Sequence, residues 1–213
     1  MRVMRRPWIL AGFLVGTALL ISQALGAAEE KSGGAGSRAA ALAAFDTIQT
    51  VLQHPRCQNC HIPGDSPLVL DSGAAHPQNV QRGSAGIGVP GLPCTTCHTA
   101  KNLPATYGPH MPPGAPGWRL PPPGQKMVFI HLSKADLCAT IKDPKRNGGK
   151  DLAALLEHVD HDKLVLWGWD PGVGRAPVSV PHEAFVASFK TWIAGGAPCP
   201  TAAAEPTKTS RLP

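Results

Sequence analysis

The chain has 213 residues, with 20 Lys and Arg against 14 Asp and Glu, a formal net charge of +6. No Lys/Arg cluster interleaves with aromatic side chains as a nucleic-acid surface would, so DNA and RNA are set aside as partners. Three of the basic residues, Arg2, Arg5 and Arg6, lie at the extreme N-terminus, leaving 17 basic against 14 acidic, a net +3, for the rest.

In chain order, Met1–Arg6 is short and basic and Trp8–Leu25 is almost wholly apolar. Ala24-Leu25-Gly26-Ala27-Ala28 then supplies the small residues of a cleavage site. This is the layout of a secretory signal over residues 1–28. The 18 apolar residues approach the length of a membrane span, so a retained N-terminal anchor is the alternative. Ser22, Gln23 and the small-residue exit favour cleavage, no stable membrane anchor, and a periplasmic location. The remaining residues, about 185, suit one domain.

Residues 29–36 read as a flexible start. Ser37 offers an N-cap for a helix reaching about Gln53, with Leu42, Phe45, Ile48, Val51 and Leu52 at helical spacing and Pro55 as its stop. Residues 62–126 differ in kind: 65 residues carry 13 Pro and 10 Gly, with no sustained period of 3.6 or 2. A bare polypeptide this rich in breakers reads as disordered unless something other than its own side chains gives it a core.

Helices return with Ser133-Lys-Ala-Asp136, a capping-box-like start to a helix ending at Pro144. Asp151 to about Asp160 carries Leu152, Leu155, Leu156 and Val159 on one side, and Pro181–Ala194 carries Phe185, Val186, Phe189, Trp192 and Ile193. Gly195-Gly196 is its stop, and the tail over 201–213 reads as disordered. The expected class is mostly α with extensive Pro/Gly-rich loops.

The chemistry lies in two motifs, Cys57-Gln-Asn-Cys60-His61 and Cys94-Thr-Thr-Cys97-His98. Cys-x-x-Cys-His is the attachment signal for haem c: the thiols add across two vinyl groups and the adjacent histidine reaches the iron. Two covalently bound haems are therefore expected, with Cys57, Cys60, Cys94 and Cys97 as anchors and His61 and His98 as proximal ligands. A zinc site from the four cysteines is the alternative, but it leaves both histidines unexplained. The motifs begin only 37 positions apart, so one di-haem domain over 37–200 is expected rather than two tandem domains. Two rigid apolar cofactors would also give the breaker-rich segment its core.

Cys138 and Cys199 remain, and in an oxidising compartment a disulfide between them is expected. The alternative makes one of them a thiolate ligand. Seven further histidines and Met111 and Met127 could supply the sixth ligands. His76, in the loop between the motifs, and His158, beside a helix's apolar face, are chosen; His54, His182 and Met127 stay open. Trp118, Trp167, Trp169 and Trp192 read as packing around the cofactors.

From about His54 to Pro200 the chain resembles a group of proteobacterial di-haem cytochromes catalogued beside isoquinoline 1-oxidoreductase-type molybdenum hydroxylases. The stretches responsible are His54-Pro-Arg-Cys57, Asn79-Val-Gln-Arg-Gly83, Pro113-Gly-Ala-Pro116, Leu137-Cys138, Asn147-Gly-Gly149, Leu166-Trp-Gly-Trp169 and Gly196-Ala-Pro-Cys199-Pro200. That group often has Met where this chain has Gln78, which leaves His76 the better ligand candidate. The resemblance implies a carrier taking electrons from a periplasmic dehydrogenase toward a terminal electron acceptor of the respiratory chain. A di-haem enzyme of peroxidase or thiosulfate-oxidising type, with one open or thiolate-ligated iron, is the competing expectation.

Overall fold

The computed structural model describes residues 37–201; the expected leader, the flexible start and the tail after Thr201 lie outside the described residues. Helix α1 covers residues 37–52 and buries Ala41, Phe45, Ile48, Val51 and Leu52. Ala41 takes the inner place expected for Leu42, which is only half-buried. Pro55 ends α1 as expected, but it also opens a second helix, α2 (Pro55–Gln58). Proline is tolerated in a first turn, where its missing N–H has no partner to lose. His54 caps this helix, its Nδ1 accepting the Arg56 N–H at 3.2 Å.

The breaker-rich segment contains no α-helix. Its regular structure is four 3-10 turns and two antiparallel ribbons, β1 (Leu68–Val69) with β2 (Ala74–Ala75) and β3 (Gly88–Val89) with β4 (Leu92–Pro93). Arg82, wholly buried, ties these loops together. It donates to the carbonyls of Ile62, Gly64 and Pro121 and pairs with Asp65. Backbone crowding explains one glycine here: at φ +69°, a Cβ on Gly83 would sit 2.0 Å from the Gly88 oxygen.

Helix α3 (Lys134–Lys142) starts as its sequence requires, with Ser133 Oγ accepting the Asp136 N–H at 3.1 Å. Asn147, buried, then shapes the turn into α4 (Leu152–His161) by donating to the carbonyls of Ile141 and Lys150. Asp151 caps α4 rather than forming its first turn. A short α5 (Lys163–Leu166), not expected from periodicity, follows with Asp162 as its cap. Helix α6 (His182–Ala194) ends in a Schellman motif: Ala197 N–H reaches the Trp192 carbonyl at 2.8 Å and Gly196 N–H that of Ile193 at 2.9 Å. Cys138 and Cys199 form a disulfide with Cα atoms 5.5 Å apart, pinning the chain beyond α6 to α3.

The core is built where these helices meet: Phe45, Ile48 and Val51 of α1, Leu137 and Ile141 of α3, Val159 of α4, and Phe185, Phe189 and Trp192 of α6. The fold is thus mostly helical, with a long loop region laid against the helices. Among the described residues, no helix is long and apolar enough to cross a membrane.

Candidate functional site

The two motifs adopt the same turn. In the first, the N–H groups of Cys60 and His61 both return to the Cys57 carbonyl, each at 3.2 Å. In the second, those of Cys97 and His98 return to the Cys94 carbonyl at 3.2 and 3.0 Å. Each turn directs its two cysteines and its histidine into one cavity. The first cavity, about 420 Å³, is lined by Cys57, Cys60 and His61 with Leu52, Phe129, Ile141, Leu155 and Phe185. The second, about 510 Å³, is lined by Cys94, Cys97 and His98 with Leu68, Val69, Pro112 and Pro113. Both fall in the range of cofactor sites. They abut, sharing Arg56, Cys60, Trp118, Arg119, Leu120 and Trp167 as a common wall.

Each motif histidine is held in one tautomer. His61 Nδ1 lies 2.9 Å from the Met127 carbonyl and His98 Nδ1 lies 2.7 Å from that of Pro113. A carbonyl only accepts, so both Nδ1 atoms carry the proton and both Nε2 lone pairs are free for a metal. Each ring is also braced flat against an aromatic side chain, His61 on Phe129 with centroids 4.0 Å apart and His98 on Trp118 at 4.4 Å. Burial pushes the His61 imidazole down to about 4 against the opposing pull of its hydrogen bond to Met127. It lowers His98 in the same way. Both are neutral at pH 7, the form that binds iron.

A second histidine lines each cavity. His76 lies with its ring centroid 6.2 Å from that of His98. Two imidazoles bound through nitrogen to opposite sides of one metal ion, each bond about 2.0 Å, have centroids roughly 6 Å apart. His76 Nδ1 donates to the Pro77 carbonyl at 2.7 Å, again leaving Nε2 free. In the first cavity, His158 is close enough to His61 for its charge to depress that ring's titration. Burial lowers the His158 pKa, and its Nδ1 lies 3.2 Å from Asp162 Oδ2.

The remaining candidates lie elsewhere or are engaged. His54 has its Nδ1 occupied as a cap, which puts the ring proton on Nε2. His182 donates from Nε2 to the Val159 carbonyl at 2.9 Å, packs edge-on against Trp169, and lines neither cavity. Met127 lines the first cavity, but its carbonyl holds His61. His110 lines the second cavity and was not singled out by its sequence position. Asn102 was also missed: its Oδ1 accepts both the Gly114 N–H and the Trp167 Nε1–H, fixing the loop whose Pro113 carbonyl orients His98.

Burial pushes the Cys57 thiol up to about 12 and the Cys60 thiol up to about 11. Among the described residues, no three His, Cys, Asp or Glu side chains converge on one point where a bare metal ion could be held. Paired cysteine sulfurs, free Nε2 atoms and apolar walls are groups that would suit an iron porphyrin. Arg56 adds a fitting detail, because it is 6% exposed, lines both cavities and has a buried Nε without a partner. No family model, curated protein or solved structure matches the chain.

Proposed function

We propose that this chain is an exported di-haem c-type cytochrome that carries single electrons between a periplasmic dehydrogenase and an acceptor of the respiratory chain. One observation carries the reading. The same arrangement occurs twice: a Cys-x-x-Cys-His turn, an imidazole locked with Nε2 free, and a second histidine on the same apolar cavity. Cys57, Cys60, His61 and His158 would hold one haem; Cys94, Cys97, His98 and His76 would hold the other.

When bound, haem supplies a one-electron couple between ferric and ferrous iron. The protein's part is to hold the ligand rings still in both states. The carbonyls of Met127 and Pro113 and the faces of Phe129 and Trp118 would do this for His61 and His98. Leu155, Phe185 and Phe189 give the first cavity apolar walls, and the indoles of Trp118 and Trp167, edge to face at 5.0 Å, fill the shared wall. The thiolate-ligated enzyme loses its ligand, because Cys138 and Cys199 are bridged to each other. A second histidine lining each cavity likewise favours a closed carrier over an enzyme with an open iron.

An electron paramagnetic resonance spectrum of the oxidised, purified protein tests this. Two low-spin ferric signals of bis-imidazole type are expected. A high-spin signal accounting for one of the two irons would replace the carrier with the enzyme.

A further inference from the structure

Resting on the di-haem reading, we propose that Asp162 is a positioning residue that lowers the reduction potential of the first haem and so sets the direction of electron flow within the molecule. The observation is an asymmetry among the four imidazoles assigned to iron. His61, His76 and His98 each direct Nδ1–H at a neutral backbone carbonyl, those of Met127, Pro77 and Pro113. His158 alone has a carboxylate oxygen beside its Nδ1, Asp162 Oδ2 at 3.2 Å.

This pair differs from a loose surface contact in how the carboxylate is held. Asp162 Oδ1 accepts the Leu164 N–H at 2.8 Å as the cap of α5, and its own N–H donates to the His158 carbonyl at 3.2 Å. The residue is thereby fixed at the junction of α4 and α5, where it lines the first cavity. One oxygen caps the helix and the other lies beside the imidazole. The side chain is 28% exposed, so solvent screens its charge at long range and the effect is confined to this 3.2 Å contact.

A carboxylate partner pulls the Nδ1 proton and leaves Nε2 the richer donor, the role such partners play behind metal-bound histidines. Ferric iron carries one more positive charge than ferrous iron and gains more from that donor, so the potential falls. Second-shell partners of this kind change metal affinity about 10- to 100-fold. A tenfold preference for ferric over ferrous iron corresponds to about 59 mV in a one-electron couple. Lys150 and Arg119 also act on His158 and oppose the effect, but both are unchanged when Asp162 alone is substituted. Electrons would then run from the His61/His158 haem to the His98/His76 haem.

Spectroscopic redox titration of the holoprotein tests this, comparing wild type with Asp162→Asn and Asp162→Ser. Asn and Ser both still cap a helix, and neither offers His158 a charged acceptor. Asp151→Asn, which alters the cap of α4 and leaves the His158 pair intact, is the control. The first haem is identified by the low-spin signal that His158→Ala abolishes. Its ferric-to-ferrous ratio at fixed ambient potential should fall about tenfold in both Asp162 variants, a rise of about 59 mV, with the second haem and the control unmoved. Two low-spin signals with an unchanged first potential, or an equal shift of both haems, would overturn the role of Asp162 while leaving the di-haem reading standing. A wild-type protein without two low-spin haems would instead remove the reading on which it rests.

Discussion

Replacing both bridged cysteines, Cys138→Ala with Cys199→Ala, isolates what the disulfide contributes to stability. The closed loop spans 61 positions, and the chain-entropy relation assigns such a loop about 4 kcal/mol at 25 °C. Against a typical domain stability of roughly 5–15 kcal/mol, that is a quarter or more of the total. The native end should stay docked without the bridge. Trp192 Nε1–H donates to the Pro198 carbonyl at 2.9 Å, Lys142 Nζ donates to the Ala197 carbonyl at 2.6 Å, and the Schellman turn after α6 is independent of sulfur. The loss should therefore act through the unfolded chain, leaving the haem spectra unchanged. Urea unfolding of the holoprotein, followed by far-ultraviolet circular dichroism, should show a lower midpoint and a loss near 4 kcal/mol. A loss below about 1 kcal/mol would refute the chain-entropy reasoning.

His76→Ala and His158→Ala should each convert one haem, and a different one, to a high-spin or water-ligated form, whereas His182→Ala and His131→Ala should leave both absorption spectra unchanged. Cys60→Ala and Cys97→Ala should each weaken attachment at one haem only, seen as loss of haem stain from part of the population in denaturing gels. Gly114→Ala should disturb the second site alone, because its Cβ would meet the Lys101 oxygen at 2.1 Å in the loop whose Pro113 carbonyl orients His98. The expected readout is a broadened or high-spin signal from the second haem with the first unchanged.

Much of this arrangement was legible from residue pattern. Apolar spacing located the helices that build the core, because Phe45, Ile48 and Val51, or Phe185, Phe189 and Trp192, can share a buried face only at helical periodicity. Ser133 and Gly196 marked ends through side-chain and φ preferences that belong to single residues. The breaker count of residues 62–126 excluded regular helix there, and no α-helix formed, only four 3-10 turns. The short helices α2 and α5 escaped, being four residues each and too brief to show a period.

The two motifs and the choice of His76 and His158 came from position in the sequence, but their supports did not. The acceptors for His61 and His98 are backbone carbonyls, which every residue has, so Met127 and Pro113 carried no signal. Asn102 joins Gly114 to Trp167 across 65 positions, and the common wall of the two cavities exists only once the loops have folded back on the helices. Asp162 lies four places after His158, yet nothing in the spacing revealed that it caps α5 or that its second oxygen lies beside the imidazole.

Covalent attachment of haem at both motifs is the claim on which everything else rests, and mass spectrometry of proteolytic peptides from the exported, purified protein tests it directly. The peptides containing Cys57–His61 and Cys94–His98 should each carry the mass of one haem after denaturation, because thioether bonds survive unfolding. Recovery of both peptides free of haem, as thiols, as disulfides or as zinc-binding species, would contradict the proposed function at its root.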